Sequence, residues 1–264
     1  MSIPNVAAMT TIPLTTTVTG SGPAIVLAHG ASGGIEANFG SLIPLLATDH
    51  MVIGSDYPDD DTPLELDALA DALVAAAVEA GAEEFAIIAY SLGTAVAVRA
   101  AIRHPERVRG LVLAAGFARA DHRAVLTMHQ WRQTLAAGDT DAFARIALLG
   151  GFAADFVNSL SPEQLSAVLE QTAARVPGGT AAQADLVTRV DTTADLPRVR
   201  VPTLSIGARD DLLIDPAGAR RLAAEIPGAE YLEVPAGHVL MVERPDAWHS
   251  AVLDFVRHRI PVRA

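Results

Sequence analysis

Apolar residues along the chain fall into two patterns. Short, nearly continuous aliphatic runs occupy 24–28 (AIVLA), 51–53, 85–90 (FAIIAY), 110–114, 203–206 and 231–234, each bounded by turn-forming residues. Such runs fit strands buried on both faces, as in a parallel sheet. Between them, 64–80, 92–103, 216–225 and 245–258 carry helical periodicity, and Pro63, Pro216 and Pro245 stand where helices begin. The run 12–19 ahead of the Gly20-Ser21-Gly22-Pro23 turn predicts an extra strand forming a hairpin. Strands alternating with helices predict an open α/β sheet, mostly parallel and twisted, with helices on both faces. The alternation stops at 119–195, where only helical stretches occur: 121–137, 139–149, 162–175 and 180–190. This predicts a core domain made of 1–118 and 196–264, with a helical cap, 119–195, inserted over the sheet's carboxyl edge. Ligands bind at that edge in open α/β sheets.

Composition narrows the function classes. Half of the 264 residues are hydrophobic, so a large core is available, and the formal net charge of −12 argues against a nucleic-acid surface or a basic membrane patch. Cysteine is absent, which excludes disulfides, thiolate metal sites and a cysteine nucleophile. All basic residues other than histidine are arginine, and alanine is abundant, a composition that suggests a GC-rich bacterial genome. Residues 1–20 show neither a basic segment nor an apolar run of the kind a secretion leader needs, and no stretch is long and apolar enough to span a membrane, so the expected location is the cytoplasm.

The stretch 87–98, IIAYSLGTAVAV, sets Ser91 between a predicted strand and a predicted helix. Two readings compete on this motif alone. Ser91 either caps the helix amino terminus, or it is a nucleophile on the tight turn whose usual form is G-x-S-x-G, here Ala89-Tyr90-Ser91-Leu92-Gly93. A serine nucleophile needs a base. His238, in Ala236-Gly237-His238 after the last predicted strand, holds the matching position, whereas His50, His104, His249 and His258 read as surface residues. The imidazole needs a carboxylate. The turn Gly207-Ala208-Arg209-Asp210-Asp211 offers Asp210, the better match by spacing, with Asp211 as the alternative. Donors for an oxyanion are expected from the backbone N–H of Leu92 and of Ala31. Ala31 lies in the loop His29-Gly30-Ala31-Ser32-Gly33-Gly34, which His29 is expected to order. That loop lacks the spacing of a phosphate cradle.

These pieces, LAHGA (27–31), AYSLG (89–93), RHPERVRGLVLAAG (103–116), VPTLSIGARDD (201–211) and AGHVLMVERPDAW (236–248), resemble the α/β-hydrolase superfamily across nearly the whole chain. The segment 119–195 resembles the cap of lactonase-, esterase- and cofactor-free haloperoxidase-like members. The resemblance implies a catalytic triad of Ser91, Asp210 and His238 and cleavage of a small carboxylic ester or lactone through an acyl-enzyme, without metal or organic cofactor. Alternatives with the same residues are carbon–carbon, thioester or perhydrolase chemistry; a ligand-binding or non-hydrolytic biosynthetic role is a further one. Serine at position 91 argues against epoxide hydrolases and haloalkane dehalogenases, which carry aspartate there. The loop 55–63, SDYPDDDTP, departs from the family pattern and alters one wall of the entrance. Topology nominates Ser32, Glu36, Phe39, Tyr90, Phe117, Val239 and Leu240 as substrate-binding residues, with Met128, Trp131 and Phe152 from the cap, although cap residues also serve simply to pack the cap. Arg119 and Arg123 are either carboxylate-recognising or exposed helix residues. The expected partner is a largely apolar small molecule, with no nucleic acid and no membrane.

Overall fold

The computed structural model describes residues 12–260. The chain outside that range includes most of the segment read as lacking a leader. In chain order the elements are β1 Thr15–Thr19, β2 Ala24–Ala28, α1 Ile35–Phe39, α2 Ile43–Leu46, β3 Met51–Asp56, α3 Leu66–Glu79, β4 Phe85–Tyr90, α4 Leu92–Arg103 and β5 Val108–Ala114. Five helices follow without a strand: α5 His122–Ala136, α6 Thr140–Gly151, α7 Ala154–Ser159, α8 Pro162–Ala174 and α9 Thr180–Arg189. The chain then returns to β6 Thr203–Ala208, α10 Ala217–Glu225, β7 Glu230–Val234, α11 Leu240–Glu243 and α12 Pro245–Arg259.

The seven strands form one sheet in the order β1-β3-β2-β4-β5-β6-β7, parallel except for β1. The expected hairpin does not form, because β1 pairs antiparallel with β3 rather than with β2. The cause lies in the turn between β1 and β2. Gly20 and Gly22 have φ of 78° and 118° and press against the backbone of Ala47, Asp49 and His50, which lead into β3. Only residues without Cβ fit there, and the contact carries β1 past β2 to the sheet's edge.

Period-two alternation divides the central strands between two cores. Val26, Ile87, Ala89, Leu111 and Leu113 face one core with α3 and α4, while Ile25, Leu27, Ile88, Val112 and Ala114 face the other with Phe39, Trp248 and Val252. Each of the larger aliphatic and aromatic side chains buried to this degree stabilises the fold by roughly 1.5–3 kcal/mol. The edge strands β1 and β7 are largely exposed, and the threonines of TTTVT and the glutamates of EYLEV blunt pairing with another chain.

The strand order reverses between β2 and β4, since the chain runs from β2 to β3 on one side and then returns to β4 on the other. A crevice therefore opens at the carboxyl ends of β2 and β4. The five-helix insertion leaves and rejoins the sheet at a bridge between Arg119 and Asp191, reinforced by the Thr192 N–H donating to the Ala118 carbonyl at 2.8 Å. Arg99 of α4 clasps this neck through Asp195 at 2.9 Å and the Asp191 carbonyl at 3.2 Å. The loop after β3 is tied to the insertion as well, where the Gly178 N–H donates to Asp59 Oδ1 at 2.5 Å. Among the described residues no helix is long and apolar enough to cross a membrane.

Candidate active site

Ser91 occupies the turn between β4 and α4 with φ 52° and ψ −120°. A positive φ is costly for a residue with a Cβ, on the order of 1–3 kcal/mol, and here the surroundings enforce it. The Ser91 N–H continues the sheet to the Ala114 carbonyl at 2.9 Å, while its own carbonyl accepts from the Thr94 N–H at 2.9 Å and Thr94 Oγ1 at 2.7 Å. Gly93 lets α4 pass close to β2, since a Cβ there would overlap the Ala28 carbonyl oxygen. The Ser91 side chain makes no capping hydrogen bond to its helix, so the capping reading fails.

Its hydroxyl points instead to His238. Ser91 Oγ lies 2.9 Å from His238 Nε2, and His238 Nδ1 lies 2.7 Å from Asp211 Oδ2. A carboxylate oxygen can only accept, so Nδ1 carries the proton and Nε2 is left to accept from the serine hydroxyl. Ser91, His238 and Asp211 are all buried. The carboxylate is aimed from its other oxygen, where Asp211 Oδ1 accepts the N–H groups of Leu213 and Ile214, both at 2.8 Å.

Asp210, the residue favoured by spacing, does not meet the imidazole. Strand β6 runs to Ala208, two residues past the expected end. The Asp210 N–H then pairs with the Ala236 carbonyl at 2.9 Å, and its side chain turns outward to Arg209 at 3.0 Å. The next residue along the turn faces inward, and it is Asp211.

The loop after β2 is pinned on both sides of Ala31. The His29 imidazole, sealed in the core, lies 2.8 Å from the Gly30 carbonyl through Nδ1, and its Nε2 accepts the Tyr57 N–H at 3.0 Å. Those two bonds define a neutral tautomer, and burial lowers the pKa of His29 accordingly. The Gly30 N–H is taken by Asn38 Oδ1 at 3.0 Å and the Ser32 N–H by Gln183 Oε1 at 2.9 Å. Among the described residues no acceptor takes the N–H of Ala31 or Leu92.

The loop that carries His238 is fastened to the insertion. Glu243 Oε1 accepts the Gly237 N–H at 3.0 Å and the Ala153 N–H at 2.9 Å, and the Val239 N–H donates to the Gly151 carbonyl at 2.8 Å. The Tyr90 hydroxyl donates to the His238 carbonyl at 3.1 Å, and burial raises the pKa of that phenol well above its ordinary value.

A cavity of about 220 Å³ opens onto Ser91 and His238. Of the residues nominated from sequence, Ala31, Ser32, Tyr90, Met128, Trp131, Phe152 and Val239 line it. Glu36, Phe39, Phe117 and Leu240 do not. Glu36 is exposed on α1, and Phe39 packs against Trp248 at a centroid distance of 6.4 Å in the second core. Phe117 lies in the first core and Leu240 in the second. Proximity in sequence to a motif did not determine the face these side chains took. Sequence reasoning missed Asn38, Phe143, Leu148, Val187, Leu213 and Ile214, which also line the cavity. Leu213 and Ile214 lie two and three residues past Asp211 and could have been found from that nearness. Arg119 and Arg123 stay outside, with Arg123 donating to the Asp211 carbonyl at 3.3 Å. No group of three or more His, Asp or Glu side chains able to hold a metal ion occurs among the described residues.

Comparison with known proteins agrees with this geometry. The family model described as alpha/beta hydrolase fold matches residues 23–245. Pyrrolizixenacetamide deacetylase of Xenorhabdus hominickii is 32% identical over 247 residues, covering 90% of this chain and 92% of that protein. RutD of Klebsiella pneumoniae (strain 342), provisionally named a carbamate hydrolase, is 26% identical over 257 residues, 91% and 93% of the two chains. The crystal structure of the enol-lactonase from Burkholderia xenovorans LB400 superposes with a TM-score of 0.82 at 23% identity, covering 93% of this chain and 96% of that one, a likeness of fold.

Proposed function

The chain belongs to the alpha/beta-hydrolase fold family, and from that premise we propose that it is a serine hydrolase of small, uncharged carboxylic esters or lactones. One observation carries the reading, the unbroken hydrogen-bonded row Ser91–His238–Asp211 opening onto a largely apolar cavity. His238 Nε2 takes the Ser91 proton as Oγ attacks the substrate carbonyl carbon. Asp211 stays ionised, holding the Nδ1–H and stabilising the imidazolium that forms. The developing oxyanion is received by the N–H groups of Ala31 and Leu92. His238 returns its proton to the leaving oxygen, and the same base then activates water to release the acid from Ser91.

The chemistry of the cavity supports the substrate class. Apart from the reacting groups, its lining is apolar or neutral: it includes Met128, Trp131, Phe143, Phe152, Val187 and Ile214, and no Arg, Asp or Glu is among the lining residues described. A substrate carboxylate buried there would lose its hydration without a countercharge. The insertion acts as a lid over this cavity.

A second reading, hydrolysis of an acetyl amide, draws on the name of the Xenorhabdus deacetylase. It uses the same acyl-enzyme, with His238 protonating a leaving nitrogen instead of an oxygen.

Labelling with a fluorophosphonate followed by mass mapping tests the mechanism. The expected result is an adduct on Ser91 and loss of at least about 10³-fold in ester turnover in Ser91→Ala. Turnover unchanged in that variant would overturn the reading. Comparing p-nitrophenyl acetate with p-nitroacetanilide separates ester from amide preference.

A further inference from the structure

The loop that offers the Ala31 N–H is built from two peptide planes with different owners. The Gly30–Ala31 plane belongs to the core, because its carbonyl is fixed by His29 Nδ1 at 2.8 Å. No cis peptide occurs among the described residues, so the Ala31 N–H of that plane points opposite to the held carbonyl. The next plane, Ala31–Ser32, is held from the insertion. Its N–H donates to Gln183 Oε1 at 2.9 Å, and Gln183 lies 151 residues away on α9, itself only 2% exposed.

Ser32 needs this restraint. Its φ of 58° is a left-handed conformation that a residue with a side chain seldom adopts unaided. Rotating the Ala31–Ser32 plane would relieve that strain, and the hydrogen bond to Gln183 opposes the rotation. Thr180, one turn earlier on α9, adds a weaker hold: its Oγ1 donates to the Pro177 carbonyl at 2.7 Å and lies 3.3 Å from Ser32 Oγ, from which it can accept.

We propose that Gln183 is a positioning residue for oxyanion stabilisation, through which the insertion restrains from the far side of Ala31 a loop that the core holds from one side only. The inference rests on the serine-hydrolase reading of Ser91. Gln183 touches no reacting atom; it acts through the placement of Ala31. A donor whose carrier shifts by a fraction of an ångström stabilises the transition state less while binding the ground state equally well.

The test is Gln183→Leu, assayed on a short-chain p-nitrophenyl ester with circular dichroism to verify folding. The expected result is a kcat lower by about 10- to 100-fold with KM within about twofold. Affinity for a trifluoromethyl ketone analogue should fall by the same factor as kcat/KM, while affinity for the corresponding methyl ketone, which stays trigonal, holds within about twofold. A merely structural role would not divide the two ligands in this way. Should the leucine variant fail to fold, Gln183→Met carries the same test, since its thioether has similar length and is only a weak acceptor. Unchanged kcat, or a lost kcat/KM with unchanged analogue affinity, would overturn the proposal while leaving the role of Ser91 intact. Absence of both turnover and a Ser91 adduct in the wild type would overturn the two together.

Discussion

The two walls of the cavity are built on different principles. The core wall, with Ala31, Ser32, Tyr90, Ser91 and His238, is held by backbone constraints: two residues with positive φ, a glycine that cannot accept a Cβ, and side chains whose hydrogen bonds each have a defined partner. The insertion wall, with Met128, Trp131, Phe143, Leu148, Phe152 and Val187, is held by packing of apolar side chains. Behind it α7 and α8 bury no residue at all. Backbone constraint fixes atoms to within fractions of an ångström, as proton transfer demands, whereas side-chain packing fixes volume. On the serine-hydrolase reading, the division gives chemistry to one wall and selectivity to the other.

The sharpest way to break this comparison is at the acid. Asp211→Asn removes the carboxylate that orients His238 and should cost about 10⁴-fold in kcat, whereas Asp210→Asn should stay within about twofold, both read by initial rates on a short-chain ester. Equal losses would mean that the turn after β6 is less constrained than the Asp211 hydrogen bonds to Leu213 and Ile214 require.

A smaller effect is expected on the other wall. Phe152 lines the cavity and stacks on Phe156 at 4.9 Å. Phe152→Ala should alter the preference between acetyl and hexanoyl esters by roughly 10-fold toward the longer chain, with the rate of fluorophosphonate labelling of Ser91 nearly unchanged. A uniform fall across chain lengths would assign this residue to the chemistry after all.

The smallest effect concerns pH. Burial lowers the pKa of His29 below its ordinary 6.5. The unfolded chain therefore binds a proton that the folded one refuses, and stability falls as pH drops below about 6.5 until the depressed folded value is reached. Urea unfolding of wild type and His29→Gln at pH 6.5 and pH 5.5 should show less pH dependence in the variant. No ionisable residue of the insertion faces the cavity among those described, so substitutions on that wall should leave this dependence alone.

The same division explains what could be read from the sequence. The alternating strands and helices were legible because strands buried on both faces become uninterrupted aliphatic runs. The elbow at Ser91 and the base at His238 were legible because a tight turn tolerates few residue types. Asp211 was legible only as the alternative to Asp210, because spacing along the chain does not carry side-chain direction in the turn after β6. The pairing of β1 with β3 was hidden for a related reason, since it depends on how closely the Gly20–Gly22 turn packs on the segment before β3. On the insertion wall, Met128, Trp131 and Phe152 could be nominated but not distinguished from Phe143 or Val187, because apolar helix residues look alike whichever way they face.

The hydrogen bonds of Glu243 matter for anyone who would exchange the insertion with that of a relative. In sequence the transferable unit ends near residue 195, yet one carboxylate oxygen far beyond that point holds the Ala153 and Gly237 N–H groups together. Gly237 also has no space for a Cβ beside Ala153. A chimaera cut at the sequence boundaries would strand a half-satisfied buried carboxylate beside the base loop, a loss of about 1–3 kcal/mol or more. The module that can be transplanted is therefore discontinuous, and recombination between relatives should succeed most often when 237–243 travels with the helices.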